Sequence, residues 1–297
     1  MTHAYKIVDR KRLNVQLYNQ LLEATPEASI YNHLDYIDYL ADQSQFLIFG
    51  DYQGVLPLPF TKRLNSKCLT NPVFSRLQDW LGDKPENFSN VVELLKTHFD
   101  RCDFSIGNIQ WDGTDAKSKV TQTIGIEQDI VLNTQAKRNL KKLQDLPYTI
   151  EEVDKEEALN PINQLLLFKI GGVRDIEVTR FNRLIHFFDH PNFVTKGLKL
   201  NGEWLAIGVF IQWRGQYLYI KGTNTSQGQE FAAMQTLIMH EIQWAKENQL
   251  TFQFEGSNVE SVARFNHSFG AKDETYLNLN WDHSKGMFAF LKKWLKR

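Results

Sequence analysis

The chain has 297 residues, of which 42% are hydrophobic and 23% charged, and a formal net charge of −1. That is a globular balance, long enough for two domains, with no overall field to attract nucleic acid; DNA is not an expected partner, and any RNA contact needs a local patch. Cys68 and Cys102 form neither a disulfide framework nor a metal-ligand spacing with the histidines, the first residues carry no apolar leader, and no run reaches the ~18 apolar residues of a spanning helix, so a reducing cytoplasm is the expected setting.

In chain order, Leu13, Leu17 and Leu21 recur every fourth residue and predict a helix over 9–23. Residues 33–41 predict a second, short helix with Ile37 and Leu40 inward. Strands are expected at 46–49 and 55–61, where Pro57 and Pro59 point to an edge or a bulge. A strand at 67–70 follows, then a helix carrying Phe88, Val91, Val92, Leu95 and Phe99, and strands at 104–109 and 121–126. Residues 133–146 predict a helix capped by Asn133 or Thr134. Lys137, Arg138, Lys141 and Lys142 put four positive charges on about two of its turns. Such a run is a solvated basic face or a clamp for carboxylate or phosphate, and Arg138 has the planar fork that suits either anion.

After a strand at 148–153, helices are expected at 158–170 and 178–188. Strands at 193–200, 203–213 and 216–222 are joined by Asn201-Gly202 and Arg214-Gly215. A helix over 230–248 presents Met234, Leu237, Ile238, Ile242 and Ala245 on one side. Next, Thr251–Phe254 reads as a buried strand and Glu255-Gly256-Ser257 as a turn. Ser257 or Asn258 is placed to cap a helix with Val259, Val262, Phe265 and Phe269 on one face, ended by Gly270. A carboxylate, a hydroxyl and an amide thus stand at a strand's C-terminal edge, where ligands of α/β sheets bind. Glu255 is either a functional group of such a site or a carboxylate held by turn N–H groups. A last strand is expected at 275–281.

The fold class is α/β, with mixed, mostly antiparallel sheets flanked by helices, divided as 1–145, 146–284 and a tail, 285–297. In the tail, KGMFAFLKKWLKR, an apolar face is ringed by lysines. It suits either packing on the domain or lying on an anionic membrane face. No Gly-x-Ser-x-Gly, Walker loop, dinucleotide fingerprint or zinc spacing occurs, against a hydrolase, an ATPase, a dehydrogenase or a metal site.

The order of elements in the second half, with NVESVARFNHSFGA and the segment Gln227–Ala232, resembles the GNAT acyltransferase fold. The α/β first half, the Lys137–Lys142 helix and Phe254–Ser257 resemble the FemABX-like branch, two tandem GNAT-type domains. Its best-known members transfer amino acids from aminoacyl-tRNA to a peptidoglycan precursor. The resemblance implies acyl or aminoacyl transfer to a small-molecule or peptide amine in an inter-domain cleft. Aminoacyl-tRNA, or acetyl-CoA or another acyl-CoA, would be the donor, and the protein would be cytoplasmic, in contact with the inner membrane face if its tail binds there. It also implies a gap between neighbouring parallel strands, with Lys221 and Asn224 at the mouth of one and Glu255 and Ser257 at the other. Glu255 would be the base or orienter for the substrate amine, and Lys221 would bind a substrate carbonyl or carboxylate. Gln227 and Glu230 would lie where coenzyme A pyrophosphate docks. Glu230 replaces a glycine there and sets a carboxylate against that anion. Phe265, with Asn266, stands near the place of the usual tyrosine acid. These two departures leave open a coenzyme A-dependent N-acetyltransferase and a GNAT-fold binding protein without chemistry.

Overall fold

The computed structural model describes residues 5–63, 66–154, 190–255 and 259–283. β1 (Tyr5–Asp9) leads to α1 (Val15–Ala24) and α2 (Leu34–Leu40). β2 (Gln43–Phe49), β3 (Gly54–Arg63), β4 (Ser66–Thr70) and the short β5 (Gln78–Asp79) and β6 (Leu81–Gly82) follow, then α3 (Phe88–His98), β7 (Arg101–Gly107) and β8 (Ala116–Ile124). Next come α4 (Thr134–Leu140), β9 (Tyr148–Glu152), β10 (Phe193–Leu200), β11 (Glu203–Trp213) and β12 (Gln216–Asn224). α5 (Ser226–Glu230), α6 (Ala233–Glu247), β13 (Thr251–Gln253), α7 (Glu260–His267) and β14 (Lys272–Asp282) end the series. The helices expected at 158–170, 178–188 and 285–297 lie outside the described residues, as do Ser257 and Asn258.

The chain forms two compact units. One holds the chain up to Lys119 with the stretch from Tyr276; the other is Val120–Thr275. Sequence patterning places its divisions at 145 and 284 instead.

In the first unit the strands lie in the order β1-β2-β3-β4-β7-β14, with β4 and β7 parallel and the other neighbours antiparallel. Helix α3 buries Phe88, Val91, Val92 and Leu95 in a core with Phe60, Trp80 and Phe104. Asn14 opens α1 by accepting the Leu17 N–H, and the helix buries Tyr18 and Leu22, one position on from the predicted Leu17 and Leu21. Pro57 and Pro59 do not put β3 at an edge. It has β2 on one side and, on the other, β6 at Gly54–Val55 and β4 at Phe60–Arg63. Both prolines fall between those two partners, where no ladder on that side needs their missing N–H.

In the second unit the order is β9-β10-β11-β12-β13-β8, with only β12 and β13 parallel. Asn201 and Gly202, at φ 53° and 85°, and Arg214 and Gly215, at 45° and 75°, make the two tight hairpins. Helix α6 packs Leu237, Ile238, Ile242 and Ala245 against Phe210, Tyr217 and Phe252. Two expectations are corrected here. The helix expected over 230–248 is α6, which begins only at Ala233, and a separate short helix, α5, stands before it, divided from it by Ala232 in the left-handed region at φ 55°. The inward residues of α7 are Phe265 and Asn266, followed by Phe269, whereas Val259 and Val262 are 61% and 44% exposed. Eight residues make little more than two turns, so an apolar repeat that runs past the helix's first residue overstates its buried face.

Both units therefore run antiparallel strands, a helix and a parallel strand in the same sequence. The strand next to β7 comes from the end of the chain, and the strand next to β13 comes from its middle.

Candidate functional site

The parallel pair in the second unit is short. Gln216, Tyr217 and Leu218 of β12 face Thr251, Phe252 and Gln253 of β13, and the register stops there, although β12 runs on to Asn224. On the other side of β12, Val209 faces Lys221 while Phe210 faces Tyr219, so Ile220 is an extra residue, a bulge. A bulge bends and twists its strand, here just past the last parallel pair. Meanwhile β13 continues toward β8, with the Phe254 N–H donating to the Gln122 carbonyl. A gap thus opens at the C-terminal ends of two parallel strands, the usual ligand position in such sheets.

Glu255 stands at the β13 side of this gap. Its backbone is left-handed at φ 57°, uncommon for a residue other than glycine. Its Oε1 is shielded from solvent, and burial pushes the carboxyl from its ordinary 4.5 up to about 8. A carboxyl poised near neutrality can exchange a proton with an amine. Lys221, half-buried, lies on the β12 side, directly after the bulge.

The end of β12 leads into the α5–α6 corner. Thr225 caps α5 by accepting the Gly228 N–H at 2.9 Å. Gly228 lies so close to β11 that a Cβ would fall 2.0 Å from the Leu205 carbonyl oxygen. Ala232 has no side chain to cap α6, and Asn224 does so from β12, its Oδ1 accepting the Met234 N–H at 3.0 Å. Asn224 thus occupies one of the N–H groups at this helix start. Gln227 and Glu230 are exposed on α5. The Lys142 ammonium donates to the Glu230 carbonyl at 2.8 Å, and Asn139 donates to Gln235 at 2.6 Å. These bonds hold α4 and the turn after it against the corner; the helix expected to run to 146 ends at Leu140, so Lys137 and Arg138 lie on it and Lys141 and Lys142 just beyond. Lys137, Arg138, Lys141 and Lys142 are all exposed. Arg138 donates to Gln135 on its own helix. Phe265 instead packs edge-on against Phe269, ring centroids 5.3 Å apart, on the core. The structure gathers Glu255 and Lys221 at the gap and Asn224, Gln227, Glu230 and the basic helix at the corner; Phe265 packs on the core cluster that holds Phe254 and Phe269.

Tyr219 is a candidate that sequence reasoning missed. Its hydroxyl lies over Gly222, where a Cβ would come within 2.0 Å of it, and meets Met234 Sδ at 3.4 Å. Burial raises its pKa above the ordinary tyrosine range, so it stays protonated and able to donate. The signal is in YLYIKG, a tyrosine two residues before Lys221 on the same strand.

The first unit has the matching break, and it is filled. β7 pairs in parallel with β4 as far as Asp103 and with β5 from Ile106. Between them the Ser105 N–H donates to Asn71 Oδ1 at 2.6 Å and Asn71 Nδ2 donates to the Ser105 carbonyl at 3.1 Å. A side-chain amide takes the place of a neighbouring strand.

No protein-family model and no curated protein sequence matches the chain. Solved structures do. FemX superposes with a TM-score of 0.64 at 12% identity, over 98% of this chain and 100% of that one. L-PGS from Bacillus licheniformis superposes at 0.57 and 12% identity, over 94% and 95%. A tandem GNAT protein from the clavulanic acid biosynthesis pathway superposes at 0.56 and 7% identity, over 95% and 100%. The chain therefore shares the fold of FemX and of a tandem GNAT protein, the GNAT fold that the sequence resemblance implies. Among the described residues no helix is long and apolar enough to cross a membrane.

Proposed function

We propose that the chain is an acyltransferase that moves an acyl or aminoacyl group onto an amine at the β12–β13 gap of its second unit. The observation that carries this reading is the gap itself, with a buried carboxyl of near-neutral pKa at its rim. Backbone N–H groups freed by the bulge would stabilise the oxyanion that forms at the donor carbonyl. Glu255 accepts the proton of the attacking amine, the new C–N bond forms, and the bond to the leaving oxygen or sulfur breaks. Tyr219, whose hydroxyl meets Met234 on the α6 side of β12, would return a proton to that atom through the gap. Lys221 holds a carbonyl or carboxylate of the substrate.

For the donor, we favour aminoacyl-tRNA over acyl-CoA. Asn224 already takes an N–H that a pyrophosphate would use, and Glu230 adds a carboxylate at the same corner. The exposed cations of α4 and of the turn after it suit an extended phosphate backbone. A cytoplasmic setting, with the 285–297 tail on the inner membrane face, agrees with such a donor and belongs to this proposal.

The test offers the full chain acetyl-CoA or charged tRNA together with a panel of amines, with products read by mass spectrometry. Glu255→Gln is expected to lower transfer by about 10²-fold or more while donor binding is retained. An unchanged rate would remove Glu255 as base. No transfer from either donor would favour a binding protein on this fold.

A further inference from the structure

Glu255 holds its left-handed backbone, at φ 57°, without being a glycine. Such a residue persists only where its surroundings over-determine it, so what grips the chain on either side decides where its carboxyl stands. Gln122 of β8 grips both sides. Before Glu255, the β8–β13 ladder pairs Gln253 with Thr123 and closes with the Phe254 N–H donating to the Gln122 carbonyl at 3.0 Å. After it, Asn266 on α7 donates from Nδ2 to Gln122 Oε1 at 3.0 Å. Gln122 Nε2 in turn donates to Asp273 Oδ1 at 2.9 Å, just past α7. Gln122 is 0% exposed and Asn266 1%, so the bond between them forms out of water, where a lost partner is costly.

The direction of these bonds explains the residue type. Asp273 accepts, and hydrogen bonds from Gln122 and then His267 hold its pKa below the ordinary carboxylate value. It therefore fixes the donor end of the Gln122 amide and turns the acceptor end to Asn266, which has an N–H to give. A glutamate there would set a second carboxylate against Asp273, and an apolar residue would take a bond from Asn266 and from Asp273 alike. The far end of α7 is tied elsewhere. Ser268 Oγ accepts from Gln235 at 3.2 Å, and the Ser268 carbonyl accepts the Asn133 N–H at 3.1 Å. Those ties reach α6 and the start of α4. The polar tie between α7 and the strands at the gap is Gln122, beside Phe254 and Phe269 with ring centroids 5.8 Å apart.

We propose that Gln122 is a positioning residue for Glu255. Its carbonyl sets Phe254, its amide sets α7 through Asn266, and the two together hold the Glu255 turn at the rim of the gap. The consequence for the rate of transfer rests on the transfer reading above; the effect on Glu255 itself does not.

The experiment uses the full chain with Gln122→Met, which keeps the side chain's length and removes both of its bonds. Tm is followed from about pH 4 to about pH 9, with and without Glu255→Gln in each background, so that the difference between paired curves reports the Glu255 carboxyl. In the wild type that difference spans 4.5 to about 8. In Gln122→Met its upper limit is expected to fall by about one pH unit or more, as the carboxyl reaches water. Asn266→Ala cuts the same tie from the helix side and should repeat that fall, which keeps the proposal testable where Gln122→Met does not fold. Ser268→Ala loosens the far end of α7 and should lower Tm without moving the limit. With a donor and acceptor that turn over, Gln122→Met should lower kcat about tenfold or more and leave the donor KM nearly unchanged. A limit that stays in place in both Gln122→Met and Asn266→Ala, or that moves as far in Ser268→Ala, would overturn the proposal whatever the loss of Tm. A limit that moves in a protein that transfers from no donor would leave the proposal standing and remove only the transfer reading.

Discussion

Glu255 combines a strained backbone and a shielded carboxyl in one residue, and the second property is open to titration. Burial lifts its pKa from 4.5 to about 8. Between those values the folded chain keeps a proton that the unfolded chain has released. The carboxyl's contribution to stability is therefore full below about 4.5 and is lost as pH rises through about 8. Melting curves across that range should show wild type losing more stability toward alkaline pH than Glu255→Gln, with the difference between the two curves confined to this window. Equal curves would mean that the carboxyl ionises as it does in the unfolded chain. The residue itself was legible as a carboxylate at the end of a short apolar strand. Its burial was not, because exposure depends on segments far away in the chain.

Among the elements, the α5–α6 corner is where local preference yields to packing. Met234, Leu237, Ile238 and Ile242 have helical spacing, and that spacing carries no mark of the break at Ala232. The break comes from neighbours: Gly228 pressed on the Leu205 carbonyl and Asn224 reaching over to the Met234 N–H. Gly228→Ala drives a methyl group into backbone that cannot give way and should cost about 2–3 kcal/mol. Asn224→Ala removes a cap and should cost about 1 kcal/mol. Urea unfolding separates the two, and equal, negligible losses would mean that the corner is set by something else. The hairpins at Asn201-Gly202 and Arg214-Gly215 lie at the opposite extreme. Their two-residue signals are local, and the strands they join begin where the sequence places them. The short α7 shows the cost of periodicity alone, with Val259 and Val262 turned to solvent.

For the whole molecule, the sequence carried the order of strands and helices well, and with it the resemblance to the GNAT fold. It did not carry the destination of β8 and β14, because nothing in a strand's own residues names its partner. Division at 145 would leave β7 without β14 and β13 without β8. A fragment of residues 1–145 should therefore expose a bare strand edge and aggregate or stay unfolded. A monomeric, cooperatively melting fragment would show that the first unit does not need its last strand.

The same exchange has a consequence for biosynthesis. β7 leaves the ribosome early, and the strand that covers its edge is among the last described residues to emerge. At roughly 5–20 residues per second the nascent chain waits on the order of ten seconds or more with that edge open. Translation speed over the second half, and access of chaperones during that wait, should thus govern the yield of native protein more strongly than its final stability does.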